Sequence, residues 1–428
     1  MNITPSHRLY GFGAILLVSL TICSRQLESV GEPSFIIPLA IAGVAYLLAI
    51  RELFSTSKFP RRVIVIGLLL AVLWQVPFLW MSPGSDDDIH RYLWDGRVQR
   101  LGYNPYLVVP SDPALASLHT AETRTLNNPD VPSPYPAGAQ LFFRGVTAIH
   151  ESIFALKLAF AFCGWAIVLV LLDLLRCRGE GAHWVLAYAW NPLLAIEVAG
   201  SGHIDIVGVL LLVVSAAALG RRWRTVAALA FGVAVAVKLL PIVLLPLYWK
   251  RVRVRDAALA TIVVSFLYIP FFNHGRIPIG SLATYVQRFR FNDPLFAMLE
   301  RVAAPQLVVG LAVLVGFVTA FWLRRTDAFA WPMAATLLCA PVVYPWYLLW
   351  LLPFVRSAST VPLIIWTVSI IPTYYVWHLR TLGRPWLVPG WIMLLEYASV
   401  AMAGAIIWFR RSTRVAVIRG PVSRDSAN

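Results

Sequence analysis

VIVIGLLLAVLWQVPFLWMSPGSDDDIHRYLWDGRVQRLGYNPY, residues 63–106, joins an apolar run to the one place in this chain where acidic residues cluster. About 20 apolar residues suffice to cross the hydrocarbon of a bilayer, so the acidic stretch that begins at Pro83 starts at a membrane surface. Pro83 and Gly84 end the apolar run. Ser85, followed three residues later by Asp88, has the spacing of a capping box that opens a helix. Gly102 closes that helix, with Pro105 as a stop beyond it. Asp86, Asp87 and Asp88 then fall in a first turn, where the helix dipole favours negative charge. Capping alone accounts best for Asp88 and least for Asp87. Asp87 with Arg91, or Arg91 with Asp95, has the four-residue spacing of an ordinary helical ion pair.

Composition sets the class. Of 428 residues, 59% are hydrophobic and 13% charged, and the mean hydropathy is +0.71, which excludes a soluble globular protein. The 36 basic against 21 acidic residues give a net charge of +15. Most of that excess falls in short loops, which points to the positive-inside rule of membrane proteins rather than to nucleic acid. Cys23, Cys163, Cys177 and Cys339 are scattered, without disulfide or metal-binding spacing. The first apolar stretch carries no obvious cleavage site and reads as a retained span.

Charge then orders the topology. RELFSTSKFPRR, residues 51–62, is a basic loop and should be cytoplasmic, so the third span exits and residues 82–152 form an outer loop with interfacial helices. A span over about 183–199 leads out to a turn at Ser201 to Asp205. Thr225 to Trp249 carries Lys238 and Pro241 in its middle between two basic loops, Arg221 to Arg224 and Lys250 to Arg255. A hairpin of two short helices with its tip at Lys238 keeps both loops inside. Residues 328–353, with TyrProTrpTyr at 344–347, suggest a second proline turn. The polar tail at 410–428 lies in the cytoplasm. The expected fold is an all-α polytopic membrane protein, one integral domain over 1–428, with 11–14 transmembrane or half-membrane helices and a structured first outer loop.

In this topology the ionisable residues outside the cytoplasmic loops gather on one face: Asp86 to Asp88, His90, Arg91 and Asp95; Glu197, His203 and Asp205; and Lys238. A lysine in an apolar span costs about 2.5 to 3.5 kcal/mol on insertion scales, so Lys238 needs a cavity or a partner, with Glu197 and Asp205 as candidates. His203 can equally hold a helix end. Arg276, Arg288, Arg290 and Arg301, with Arg380 and Arg384, make the outer loops basic against the usual bias. Guanidinium forks suit phosphate, so an anionic substrate on that face is expected, with lipid headgroups as the alternative partner. Aromatic residues of the same side, among them Tyr135, Trp346, Tyr347 and Trp377, serve the membrane interface or stack on a sugar.

DDIHRYLWDGRVQRLGYNPY, then TyrPro and Gln140 at 135–140, NPLLAIEVAGSGHID at 191–205, AVKLLPIVLLP at 236–246 and YPWYLLWLLP at 344–353 together resemble bacterial GT-C membrane glycosyltransferases, closest to polyprenol-phosphate-mannose-dependent mannosyltransferases. The motifs spread over most of residues 80–355. The resemblance implies a GT-C-like bundle in the plasma membrane. It also implies inverting transfer of a hexose from a polyprenyl-phosphate donor to a lipid or glycan acceptor on the outer side. The base it implies is an aspartate of the first outer loop, best matched by Asp87, with Asp88 and Asp86 beside it. Asp86 as a third acid, His90 in place of a commoner aromatic and Ala137 in place of a second proline depart from the pattern.

The chemistry suits these residues, since a carboxylate can take the acceptor proton while positive charge steadies the leaving phosphate. Lys238, His203, Arg91, Arg288, Arg290, Tyr135 and Tyr344 are the candidates for holding the donor phosphate and substrate. No metal or cofactor is required, although three adjacent aspartates leave room for a divalent cation. The competing class is a flippase or carrier for a lipid-linked sugar, which would share broken helices and buried charges. A third reading is an assembly subunit that kept the fold without the activity.

Overall fold

Among the described residues, eight helices are long and apolar enough to cross a bilayer: Pro5–Ser24, Pro33–Ser55, Arg61–Trp80, Ile153–Cys177, Val254–Phe271, Pro305–Leu323, Ala358–Thr381 and Gly390–Arg410. They belong to a computed structural model that describes residues 4–26, 29–56, 58–84, 88–273, 278, 280–323 and 328–418, the side chains of 411–418 excepted. A ninth apolar pair, Leu194–Gly200 and Asp205–Gly220, is bent by 115° at its break. Half-length helices Arg224–Val237 and Ala330–Leu338 fill out the bundle. The protein is an all-α polytopic membrane protein. Phe291 and Val342 form an isolated parallel β-bridge.

The bundle is held by small-residue contacts and by the few polar groups that need partners. Lys157 lies in the first turns of Ile153–Cys177 with its side chain fully buried. Its ammonium donates to the carbonyls of Phe78, at 3.1 Å, and Met81, at 2.6 Å. It therefore caps the last carbonyls of the third span, where a helix carries partial negative charge and lacks intrahelical donors.

The outer loop is more deeply folded than a surface-lying helix. Ile89–Arg100 packs on Ala137–Ile149 and buries His90, Arg91, Asp95 and Gln99 along with its apolar residues. Gly96 permits this approach, since a Cβ there would stand 2.7 Å from the Phe143 carbonyl oxygen. Gly102 ends the helix as its sequence suggests, at φ +88°, and the Tyr103 N–H returns to the Val98 carbonyl at 2.9 Å. The start differs from the expected capping box. Asp88 is the residue before the first helical turn and its side chain makes no capping hydrogen bond, because its carboxylate faces a cavity instead. Ser85, Asp86 and Asp87 lie outside the described residues.

Two expected breaks take specific forms. Residues 183–199 do not make one span. They divide into the single turns Ala182–Trp184 and Val185–Ala189 and a π-helix, Leu194–Gly200. Gly202, at φ +77°, then turns the chain within 2.6 Å of Ile89 for any added Cβ. The chain reverses at Lys238, where the backbone is extended after Arg224–Val237. It returns through Leu240–Leu244 and Leu245–Tyr248. Tyr248 ends beside Phe231, at 4.2 Å between ring centroids, with its hydroxyl 2.7 Å from that of Ser215.

Lys157→Met should leave the Phe78 and Met81 carbonyls without this donor and cost about 1–3 kcal/mol of stability. Thermal unfolding in detergent measures it, and an unchanged transition would refute the capping role.

Candidate active site

The broken helices, the reversal at Lys238 and the outer loop converge on a cavity of about 560 Å³. Asp88, Arg91 and Tyr135 line it from the outer loop, His203 and Asp205 from the bend after the π-helix, Lys238 from the reversal. Tyr285, Tyr344, Trp346, Tyr347, Trp377 and Arg380 close it from the second half of the chain.

Asp205 is held at both carboxylate oxygens. It opens the Asp205–Gly220 helix, fully buried. Its Oδ1 accepts the Trp350 indole N–H at 2.7 Å and its Oδ2 the Lys238 ammonium at 3.0 Å. Of the two carboxylates that the sequence offers as partners for Lys238, Asp205 is the one that pairs with it. The ammonium also lies 4.5 Å from the Tyr347 ring centre, so attraction to the ring face adds to the ion pair. With one N–H committed to Asp205, Lys238 keeps donor capacity toward the cavity.

His203 is sandwiched by geometry of a different kind. Its ring stacks on Trp346 at 3.9 Å and 11°, and Trp346 stacks in turn on Tyr344 at 4.3 Å and 12°. Nε2 lies 3.0 Å from Glu197 Oε2, and Nδ1 lies 3.8 Å from Asp88 Oδ2. Asp88 Oδ1 accepts the Asn127 amide at 2.8 Å. Burial raises the Asp88 carboxyl above its ordinary pKa, and the Asn127 hydrogen bond and the Lys238 charge only partly oppose that rise.

Arg91 reaches the cavity wall but its charge is already spent. Its Nε donates to Asp95 at 3.0 Å and its terminal nitrogens to the carbonyls of Asn128, at 3.4 Å, and Val131, at 2.9 Å. Asp95 also accepts from Ser133, at 2.5 Å, and Gln140, at 2.9 Å. The i,i+4 pair expected on a solvated helix face is thus a buried clamp. It fixes the 127–135 segment that brings Asn127 and Tyr135 to Asp88.

Arg288 and Arg290 are not among the residues lining the cavity. Arg288 is exposed, and Arg290 pairs with Glu300 at 2.6 Å. Besides Arg91, the lining holds Arg380, whose guanidinium lies 5.3 Å from the Trp386 ring centre. Its loop stood out in the sequence as basic without acids, which was the available signal. Glu396, fully buried in the last span and bonded by Trp366, at 2.6 Å, and Asn292, at 3.0 Å, could likewise have been found as an ionisable group inside an apolar run. Among the described residues no group of three metal-ligating side chains gathers. Asp86 and Asp87 are outside that set.

A family model described as Alpha-(1->6)-mannopyranosyltransferase, N-terminal domain, matches residues 15–252. The chain belongs to that family. No curated protein and no solved structure matches it. The family match decides between an enzyme and a carrier: the protein is a membrane-embedded glycosyltransferase. The matched segment holds Asp88, Glu197, His203, Asp205 and Lys238, whereas the aromatic wall lies beyond it.

Gly208 gives Trp350 its place, since a Cβ there would stand 2.3 Å from the indole. Gly208→Ala should push the indole off Asp205, cost about 1–3 kcal/mol in thermal unfolding and lower transfer activity. Full activity with unchanged stability would show that the indole contact is dispensable.

Proposed function

We propose that this protein transfers mannose, with inversion, from a polyprenyl monophosphate donor to a hydroxyl of a lipid or glycan acceptor, on the membrane face opposite the cytoplasm. The observation that carries the reading is the union of Asp88, His203 and the Lys238–Asp205 pair in one cavity of a mannosyltransferase family member. The family's printed linkage extends the proposal to an α-(1→6) bond.

Asp88 is the base in this scheme. Its carboxylate faces the cavity, makes no capping bond, and has its proton affinity raised by burial, as a proton acceptor working near neutral pH requires. Lys238 meets the phosphate. Asp205 aims the ammonium rather than silencing it, because two N–H groups remain and the leaving phosphate gains charge as the glycosidic bond breaks. Arg380 offers a second positive group on the opposite wall. The aromatic lining of the cavity suits a sugar ring, which presents C–H surface beside its hydroxyls. The basic 51–62 loop sets the sidedness, through the bias of lysine and arginine to the cytoplasm.

With purified protein and mannosyl polyprenyl phosphate, Asp88→Asn should lower turnover by about a hundredfold or more while donor KM changes little, whereas Lys238→Ala should raise donor KM as well. Near-normal turnover of Asp88→Asn, with loss in Asp87→Asn, would move the base to its neighbour. Turnover with a soluble nucleotide sugar in the absence of any lipid carrier would overturn the donor class.

The pH dependence has a definite sign. An ionised base is required, so activity should fall as pH drops through the raised Asp88 pKa, at higher pH than an ordinary carboxylate near 3.9 would give. An acid limb at or below that ordinary value would exclude Asp88 as the group seen.

In a Cys177→Ser background, a cysteine at exposed Ser111 in the outer loop should react with an impermeant thiol reagent applied to intact cells. Labelling only after the membrane is breached would reverse the orientation.

A further inference from the structure

The imidazole of His203 stands between two carboxylates, and the two contacts differ. Nε2 is 3.0 Å from Glu197 Oε2, while Nδ1 is 3.8 Å from Asp88 Oδ2; both are close contacts to a carboxylate without the alignment of a hydrogen bond. Glu197 is itself fixed on both sides. Its Oε1 accepts the Tyr374 hydroxyl, and its backbone carbonyl accepts the His203 N–H at 2.8 Å. The π-helix ends at Gly200, and the turn after it brings His203 back to Glu197, six residues earlier, so that one residue meets it by main chain and side chain together.

A neutral imidazole carries one N–H. Beside a carboxylate at 3.0 Å the proton belongs on Nε2, since a lone pair there would face another lone pair. Nδ1 then offers its lone pair to Asp88. While Asp88 is ionised the two lone pairs repel, in keeping with the 3.8 Å gap. Once Asp88 gains a proton, its O–H can donate to Nδ1 across a small movement. The protonated state of Asp88 is therefore favoured by a group that does nothing for the ionised state.

We propose that Glu197 is a positioning residue for glycosyl transfer, which fixes His203 as the Nε2–H tautomer so that Nδ1 receives the proton Asp88 takes from the acceptor. This rests on the reading of Asp88 as base. In the step, the acceptor O–H bond breaks and its oxygen bonds the anomeric carbon. The anomeric C–O bond breaks and its electron pair leaves with the lipid phosphate. The proton rests between Asp88 and His203 until it passes to water as product departs.

The charged groups facing this pair are Glu197, Asp205 and Lys238, the last two bonded to each other. From the surrounding elements come the phenols of Tyr92, Tyr135, Tyr344, Tyr347 and Tyr374, which are uncharged near neutral pH.

The test is the pH profile of turnover for Glu197→Gln and His203→Gln in the full-length protein, with mannosyl polyprenyl phosphate as donor. Both variants should lose about tenfold to a hundredfold in turnover with donor KM within about twofold. In both, the acid limb should move to lower pH, because Asp88 loses the partner that raises its proton affinity. The double variant should lose no more than the worse single one, since the two act as one unit. Unmoved acid limbs, or additive losses, overturn the proposal, and if Glu197→Gln does not fold, His203→Gln alone decides. An Asp88→Asn enzyme that remains active sinks the base assignment instead, so the two failures are distinguishable.

Discussion

A charge taken out of water must be met by another charge or by fixed dipoles, and in a membrane the supply of both is short. Asp205 shows how the fold meets that requirement. One oxygen takes an indole N–H from Trp350 and the other an ammonium from Lys238, three groups from three separated stretches of chain. For them to meet, an apolar helix must start at Asp205, another must stop at Lys238, and residues 345–350 must approach near Gly208. The breaks in the bundle follow from satisfying this one carboxylate.

The cavity inherits its chemistry from the same constraint. Burial sharpens each electrostatic contact, so small displacements of His203 or Lys238 matter more than they would in water. The flat stack of His203, Trp346 and Tyr344 restrains the imidazole from one side, and the Glu197 carboxylate lies 3.0 Å from its Nε2. On the opposite side the Arg91–Asp95 clamp steadies the segment that carries Asn127 and Tyr135. The site is rigid wherever its residues touch one another and open where Asp88 and Lys238 look into the cavity.

Much of this was legible in the residues. Apolar run length revealed the spans, and a lysine and proline amid an apolar stretch revealed the reversal at Lys238, because both signals are local. The pairing of Lys238 could be narrowed to Glu197 or Asp205 but not decided, since the choice depends on where Trp350 sits, 145 positions further along the chain. Asp88 stands at the helix start, but Ser85, its expected capping-box partner, lies outside the described residues, and its side chain turns to the cavity for a related reason. Ser-x-x-Asp spacing describes the local option for a carboxylate, and the amide of Asn127, remote in sequence, offers another. The π-helix left no periodic trace, and Arg288 and Arg290 attracted attention by charge alone, although Glu300 lies close enough to take up the second of them.

The placement of the partners carries one more consequence. Glu197, His203 and Asp205 all fall within the segment that the family model matches, yet Tyr374, Trp346 and Trp350, which touch them in that order, all fall beyond it. The second half of the chain therefore acts as the solvent of the first half's charges. A boundary of recognisable similarity at residue 252 is not a boundary of folding: cut there, the amino-terminal fragment would keep Glu197 and Asp205 and lose the dipoles that make burying them tolerable.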